Sequence, residues 1–463
     1  MTVSTASSEG ITTNSTRAER SAAGKALRSK APLISHGEWA PASDRPDPIS
    51  VLEEQNRTRL PELVPIRMGR MSLSPFAFLR GSAGVMANDL AKTPVSGITV
   101  QLCGDAHVSN FGGFATPERN LVFDVNDFDE TLPGAWEWDL KRLAASIIVA
   151  GRENGYSAKE NRQAVVDSIQ QYQAVMQHGA SMKSLDVWYA HIDADILMGS
   201  VKRKGQKRIE KQQKRASRRT SEGVFPKLAE QVEGTYRIKD EPPLIVHIEE
   251  LGKTQEHEAE RIKGAFDAYV QTLPDDRKLL LSKYHFVDMA LKVVGVGSVG
   301  TRCWVLLFMA GGDGDDPLFL QVKEADDSTL EPYFGNSVYA NHGERVVQGQ
   351  RLMQEASDIF LGWTHGEVDL YVRQLRDMKV STEIATLTKK EFDFYTRVCA
   401  SALARAHGRS GDPAMISGYL GNSDAFAQAI ARFAEVYADQ TERDHAALLA
   451  AIKEGRIQAK VDV

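Results

Sequence analysis

The apolar pattern divides the chain into a helical stretch, a β-rich block and a second helical stretch. Structure is expected to begin near Asp47–Leu52, where Ser50 can cap a helix through Glu53 and Glu54. The runs ITVQLC and LVFDV, at 98–103 and 121–125, read as short buried strands. In GAWEWDLKRLAASIIVAGREN, Leu140, Leu143, Ala144 and Ile147 fall at helical spacing. Asp139 lies at the N-terminal end of that helix, where a carboxylate caps free N–H groups or favours the dipole. Helices are also expected over Ala158–His178, Leu185–Leu197 and Glu256–Leu273. Between 285 and 377 the period shortens. LKVV, RCWVLLF and LFLQV read as strands, separated by a glycine loop and the turn GGDGDD. A helix over Gly343–Phe360 and a strand in DLYVRQLRDM follow, then helices over Lys390–His407 and Asp424–Glu454. Residues 1–45 are rich in Ser, Thr, Ala and Gly and are expected to form a disordered tail. There is no internal repeat.

Composition narrows the class. The 463 residues are 42% apolar and 25% charged, which suits two or three globular domains. A net charge of −6 argues against nucleic acid as the general partner. One stretch runs the other way: Lys202–Arg219 holds ten basic residues and one acid. It lacks aromatic residues for base stacking and reads as a solvated surface segment. Cys103, Cys303 and Cys399 are far apart, without the spacing of a disulfide framework or a zinc site. No apolar run reaches the roughly 18 residues needed to cross a bilayer. With no secretory leader visible, a cytoplasmic, non-membrane protein is expected.

Candidate chemistry gathers in two places. Gln101–Glu130 packs Asp105, His107, Asn110, Asp124, Asn126, Asp127, Asp129 and Glu130 between apolar runs. Acids and amides at the ends of buried strands are costly unless they bind a metal or a polar ligand. The second place is Gly295-x-Gly297-x-x-Gly300, with Ser298 inside it. This spacing serves two unrelated phosphate cradles. In a dinucleotide fold the last glycine opens a helix; here it runs into the strand TRCWVLLF, and Lys323 ends a later strand. Strand, glycine loop, strand and lysine form a kinase-type nucleotide lid. Its lysine needs a carboxylate partner from the next helix, for which Glu344 is the first candidate and Glu355 the fallback. Arg373 in YVRQL joins the nucleotide-binding set, and Arg80 is the arginine best placed to meet phosphate or the acidic site.

GDAHVSN (104–110) resembles the catalytic loop of aminoglycoside and choline phosphotransferases. FDVNDFDE resembles their metal-binding segment, and WEWDLKRLA the helix that follows it. FLRGSA, GDAHVSNFG, NDFDE and WEWDLKRLAAS also resemble a family of uncharacterised bacterial proteins grouped with kinase-like folds. The resemblance implies ATP and Mg²⁺ as cofactors, Asp105 as catalytic base, Asn110 and Asp127 as metal ligands, and Asp139 as a structural aspartate. Asp124 could share the role of Asp127, and His107 and Asp129 are possible additions. Cys103 replaces the histidine that precedes Gly-Asp in those enzymes, so the loop needs backbone support from elsewhere.

The order of the two regions is reversed relative to ordinary kinases. An α+β, protein-kinase-like two-lobed fold in circular permutation reconciles it. It divides the chain into a tail (1–45), a helical catalytic lobe (46–280), a β-rich nucleotide lobe (281–378) and C-terminal helices completing the catalytic lobe (379–463). ALARAHGRSGD (402–412) should then dock beside 101–130. The function expected is phosphoryl transfer from ATP to an unknown hydroxyl acceptor, small molecule or protein. The alternatives are nucleotidyl (AMP) transfer, nucleotide binding without catalysis, and a metallohydrolase using Asp105, His107, Asp124 and Asp127.

Overall fold

In the computed structural model, the residues described are 15–193, 214, 220–247, 264–293, 295–311, 316–375 and 378–461. The basic segment 202–219 lies outside them except for Lys214, as do residues 194–197 of the helix expected over Leu185–Leu197, whose described helix ends at Tyr189, and residues 256–263 of the one expected over Glu256–Leu273. The described residues form an α+β protein in which helices from both ends of the sequence make one body.

Helices Glu137–Glu153, Ala158–Ser181, Lys389–Ser410, Pro413–Leu420 and Ala425–Lys453 pack on one another. Their aromatic residues lock the centre. Trp136 stacks on Tyr172 at 5.8 Å between ring centroids and lies 5.4 Å from Phe426. Residues 15–45, expected to belong to a disordered tail, are ordered instead, and 1–14 lie outside the described residues. Thr16 and Glu19 form a capping box that starts a helix over Arg17–Ala26. That helix packs on Pro413–Leu420, with Arg20 paired to Asp412 at 3.0 Å and Arg28 donating to the Tyr419 carbonyl at 2.6 Å. Small residues gave this segment a disordered composition, but small residues also allow close helix packing.

Four short strands hold the acid-rich stretch: β1 (Thr99–Leu102), β2 (Phe111–Ala115), β3 (Leu121–Val125) and β4 (Leu132–Ala135). β1 pairs with β4, and β2 with β3. A hairpin, β5 (Ala229–Val232) and β6 (Thr235–Ile238), comes next. Then follow β7 (Ile245–Val246), β8 (Tyr284–Lys292), β9 (Cys303–Ala310), β10 (Asp316–Glu324), β11 (Gly362–His365) and β12 (Asp369–Gln374). These six make one antiparallel sheet in the order β11-β12-β10-β9-β8-β7. β13 (Val380–Ser381) crosses back to pair with β2.

Both faces of the sheet are covered, so its central strands read as continuous apolar runs rather than alternating ones. Trp304, Leu306, Leu320, Val322 and Val372 pack under Tyr269 and Phe360. Val305, Leu307 and Phe319 pack on the other face, under Val224 and Leu228. Further along this second face the residues turn polar: Gln321, Lys323 and Arg373. The helix after β10 runs over His342–Met353 and stops short of Phe360, because buried Gln354 donates to the Val125 carbonyl at 2.6 Å and leaves the helical path.

This helix touches the acid-rich stretch through Gly349. A Cβ there would lie 2.4 Å from Thr131 Oγ1 and Cγ2. Thr131 is fully buried and donates to the Leu102 carbonyl at 2.6 Å, so it has no room to retreat. In an open helix Gly→Ala would gain about 1 kcal/mol. Here overpacking wins, and Gly349→Ala is expected to destabilise the protein by roughly 1–3 kcal/mol, measured by urea unfolding.

Candidate functional site

Leaving β1, the chain turns at Gly104, whose φ is +83° and whose Cβ would sit 2.4 Å from the Glu130 carbonyl oxygen. Only glycine fits a left-handed turn pressed so closely on backbone. The turn is held by Asp139. Its carboxylate accepts from the Cys103 N–H at 2.9 Å and the Gly104 N–H at 3.0 Å. Asp139 therefore reaches across to the loop, and its role is to brace it. His407 Nε2 lies 3.2 Å from Asp139, and the other ring nitrogen is 2.8 Å from the Tyr172 hydroxyl. The segment 402–412 thus docks beside this loop, and its histidine completes a buried chain of polar groups. This supplies the support that Cys103 does not.

Asp105 follows the turn. Arg142 Nε donates to it at 2.8 Å, while the same arginine bonds the Leu79 carbonyl. Burial pushes the Asp105 carboxyl up, and Arg142 and Arg80 oppose that rise. Asn110 donates its amide to the Asp105 carbonyl at 2.8 Å, closing the loop as a ring. His107 is buried, 3.5 Å from Asp105 and edge-on to Phe76. Burial drives its pKa well down, so it is a neutral packing residue. Asp412, in HGRSGD, caps the helix over Pro413–Leu420 and is not part of the site.

The hairpin β2–β3 then separates the acids. Asp124, opposite Gly112, faces Arg405, Arg409 and Glu355 rather than the loop. Burial lifts its carboxyl to about 7. A carboxyl with a raised folded pKa costs stability as pH rises from its unfolded value, near 4, to the folded one. Asp124→Asn is therefore expected to stabilise the protein, with the gain growing from pH 4 to 7 and flat above. Urea midpoints at pH 5 and 8 check it; an equal gain at both would refute the sign.

Asp127 stands past the end of β3. The Asn126 N–H donates to the Asn110 carbonyl at 2.8 Å, which ties Asp127 to the loop. Burial, then the neighbouring charge of Asp129, pushes the Asp127 carboxyl up. Asp127 makes no ion pair among the described residues. Asp129 does: it is bonded to Lys323, accepts from the Tyr371 hydroxyl at 2.7 Å and accepts from Ser298 at 3.1 Å. Burial alone would raise the Asp129 pKa, but Lys323, the Tyr371 hydroxyl and Arg373 together outweigh it and hold it at about 2. Lys323 is thus paired, but with Asp129 rather than with Glu344 or Glu355. Glu344 lies in the first turn of its helix, where its N–H is capped by Asn341 at 2.9 Å. Glu355 neighbours Asp124 and Arg409. Glu130 anchors the segment after β10, accepting from the Thr329 N–H at 2.7 Å.

Two cavities meet at Asp127. The inner one, about 500 Å³, lies under the polar end of the sheet and includes Lys323, Arg373, Gln321, Lys292 and Lys379. The outer one, about 580 Å³, holds Asp105, His107, Asn110, Asp129 and Gly297. Arg80, Asp127, Gly295 and Ser298 line both. The outer lining carries eight carboxylates against three arginines. Gly295 and Gly300 have φ of +65° and +95°; Gly300 shapes the loop without lining either cavity. The loop is fastened from the helical side: Arg70 bonds the Gly295 carbonyl at 2.6 Å, Arg59 that of Val299 at 2.6 Å, and the Leu60 N–H that of Gly300 at 2.8 Å.

The structure therefore brings Asp105, Asn110, Asp127, Asp129, Arg80, the glycine loop, Lys323 and Arg373 together, and leaves Asp124 and Glu344 out. The neighbouring Asn110 and Asp127 offer hard oxygen donors without thiol or imidazole, a set that suits Mg²⁺. Among the described residues, the His/carboxylate group whose ligand atoms converge is Asp327, Glu331 and His342, not one containing His107. Sequence reasoning missed Arg142, Lys292 and Lys379. Lys292 had a signal, three positions before Gly295 at the end of a strand; Lys379 had none.

No helix of the described residues is long and apolar enough to cross a membrane. A family model described as "Uncharacterized protein conserved in bacteria (DUF2252)" matches residues 59–451. No curated protein and no solved structure matches the chain.

Proposed function

This chain belongs to the bacterial DUF2252 family, and we propose that it is an ATP- and Mg²⁺-dependent phosphotransferase with a circularly permuted, kinase-like arrangement. The observation that carries this reading is the position of Asp127, shared by two cavities with Asp105 and Asn110 on one side and Lys323 and Arg373 on the other. The inner cavity takes the nucleotide and the outer one the acceptor. Bound between Asn110 and Asp127, Mg²⁺ would neutralise phosphate charge.

The protein's own groups do the positioning. Lys323, kept charged by Asp129, meets the phosphates from the sheet. The glycine loop presents backbone N–H groups from above, and Ser298 fixes it to Asp129. Asp105 orients the acceptor hydroxyl and receives its proton; Arg142 holds the carboxylate in place. Such a site works by orientation and charge neutralisation. The acidic outer lining does not suit a polyanionic acceptor.

A thermal-shift panel tests the reading. ATP with Mg²⁺ should raise the unfolding midpoint by several degrees and ATP with a chelator by clearly less. Transfer of γ-labelled phosphate should follow in an acceptor screen. Binding without turnover in that screen would favour a non-catalytic nucleotide-binding protein.

A further inference from the structure

We infer that Asp327, Glu331 and His342 form a binding site for a divalent transition-metal ion, Zn²⁺ above all, separate from the Mg²⁺ position beside Asp127. The inference does not depend on the phosphotransferase reading.

The three residues come from two anchored pieces of chain. Asp327 and Glu331 stand on the segment after β10. Ser328 Oγ ties that segment to the Glu130 carbonyl at 2.8 Å, and the Thr329 N–H ties it to the Glu130 carboxylate at 2.7 Å. His342 opens the helix His342–Met353, and its backbone N–H donates to Asp369 at 2.7 Å. One ligand atom of each of the three residues lies within 4.8 Å of the others.

The oxygen of Glu331 points to a ligand. The side chain is only 10% exposed, yet among the described residues its Oε1 accepts no hydrogen bond. It faces Nδ1 of His342 at 3.9 Å, and that nitrogen is also buried without a hydrogen-bond partner. At this distance the two do not bond each other. Neighbouring Arg345 does not fill the gap, because its terminal nitrogens bond the Thr131 and Asp326 carbonyls. Buried polar atoms are rarely left so unless a water or an ion satisfies them. Zinc bonds to imidazole nitrogen and to carboxylate oxygen are each about 2.0–2.2 Å, so both atoms can reach one ion, and a tetrahedral angle asks them to close by about half an ångström. On the other side of the ring Asp327 lies 2.9 Å from Nε2, where a carboxylate orients a metal-bound imidazole and strengthens it as a ligand. Asp327 is 73% exposed, which gives the ion a way in and leaves room for water to complete its coordination. An imidazole ligand favours zinc over magnesium, which prefers oxygen alone. The ion would clip the segment after β10 to the helix His342–Met353. Asp327 and Pro332 line the outer cavity, so the clip would brace one wall of it.

The test titrates the full chain with Zn²⁺ by calorimetry, in excess Mg²⁺. One ion per chain should bind, roughly a hundredfold more weakly in His342→Ala and at least about tenfold more weakly in Glu331→Gln, with affinity unchanged in Asp127→Ala. Zinc should also raise the thermal unfolding midpoint of the parent and not that of His342→Ala. No binding by the parent tighter than about 100 μM, which leaves the gap to water, overturns the site. Full affinity in His342→Ala, or its loss in Asp127→Ala, does the same. Should the His342 and Glu331 variants fail to fold, X-ray absorption of the zinc-loaded parent decides. One imidazole among oxygen ligands supports the site; no imidazole, two or more, or a sulfur ligand overturns it.

Discussion

Asp127→Ala transfers no γ-label above background, a loss of at least ~10³-fold, while the protein folds as before. Asp127 is the carboxylate common to both cavities, and among the described residues it makes no ion pair whose loss would disturb the fold. Its charge is opposed by burial and by Asp129. Removing it should therefore leave the urea midpoint at pH 8 unchanged or slightly higher. The magnesium-dependent part of the thermal shift should vanish with the activity. Full transfer in this variant would refute the assignment. Asp124→Asn is the matched control, since Asp124 faces Arg405 and Arg409 and lines neither cavity.

Asp139→Ala is expected to do the opposite, lowering stability first and activity as a consequence. The change strands the buried Cys103 N–H, the half-buried Gly104 N–H and His407 at once. Breaking a buried charged network costs about 3–5 kcal/mol, much of the 5–15 kcal/mol by which a typical domain is stable. Asp139→Asn keeps one acceptor oxygen but turns an NH₂ toward an N–H, so it should fall between. Urea unfolding gives the order, and amide exchange at Cys103 and Gly104 localises it. A cost below about 1 kcal/mol for the alanine variant would mean that the turn at Gly104 stands without its brace.

Local spacing revealed much of this site. GDAHVSN and NDFDE are short, and each arranges its own groups, so Asp105, Asn110 and Asp127 could be read without a fold. Lys323 was legible because it closes a strand after a glycine loop. Its partner was not. Asp129 lies 194 positions earlier, and no period along the chain connects them; the next helix was the nearest local source of a carboxylate and the wrong one. The choice between Asp124 and Asp127 turned on which way a three-residue step points at a strand end. The helix over Arg17–Ala26 was hidden by composition, although Thr16 and Glu19 carried its capping signal.

The helical body is closed by sequence from its two ends, and the sheet is made between them. During synthesis, β1 to β4 and the Glu137–Glu153 helix emerge early, with Leu140, Leu143 and Ile147 already destined for burial. Their covers, Leu403, Phe426, Ile430 and Phe433, arrive last. Contacts of such long separation form slowly, and apolar surface waits exposed until they do. Growing chains of this protein should therefore depend on chaperones until the Ala425–Lys453 helix leaves the ribosome, and a premature stop near residue 400 should yield aggregate rather than a weakened but folded protein.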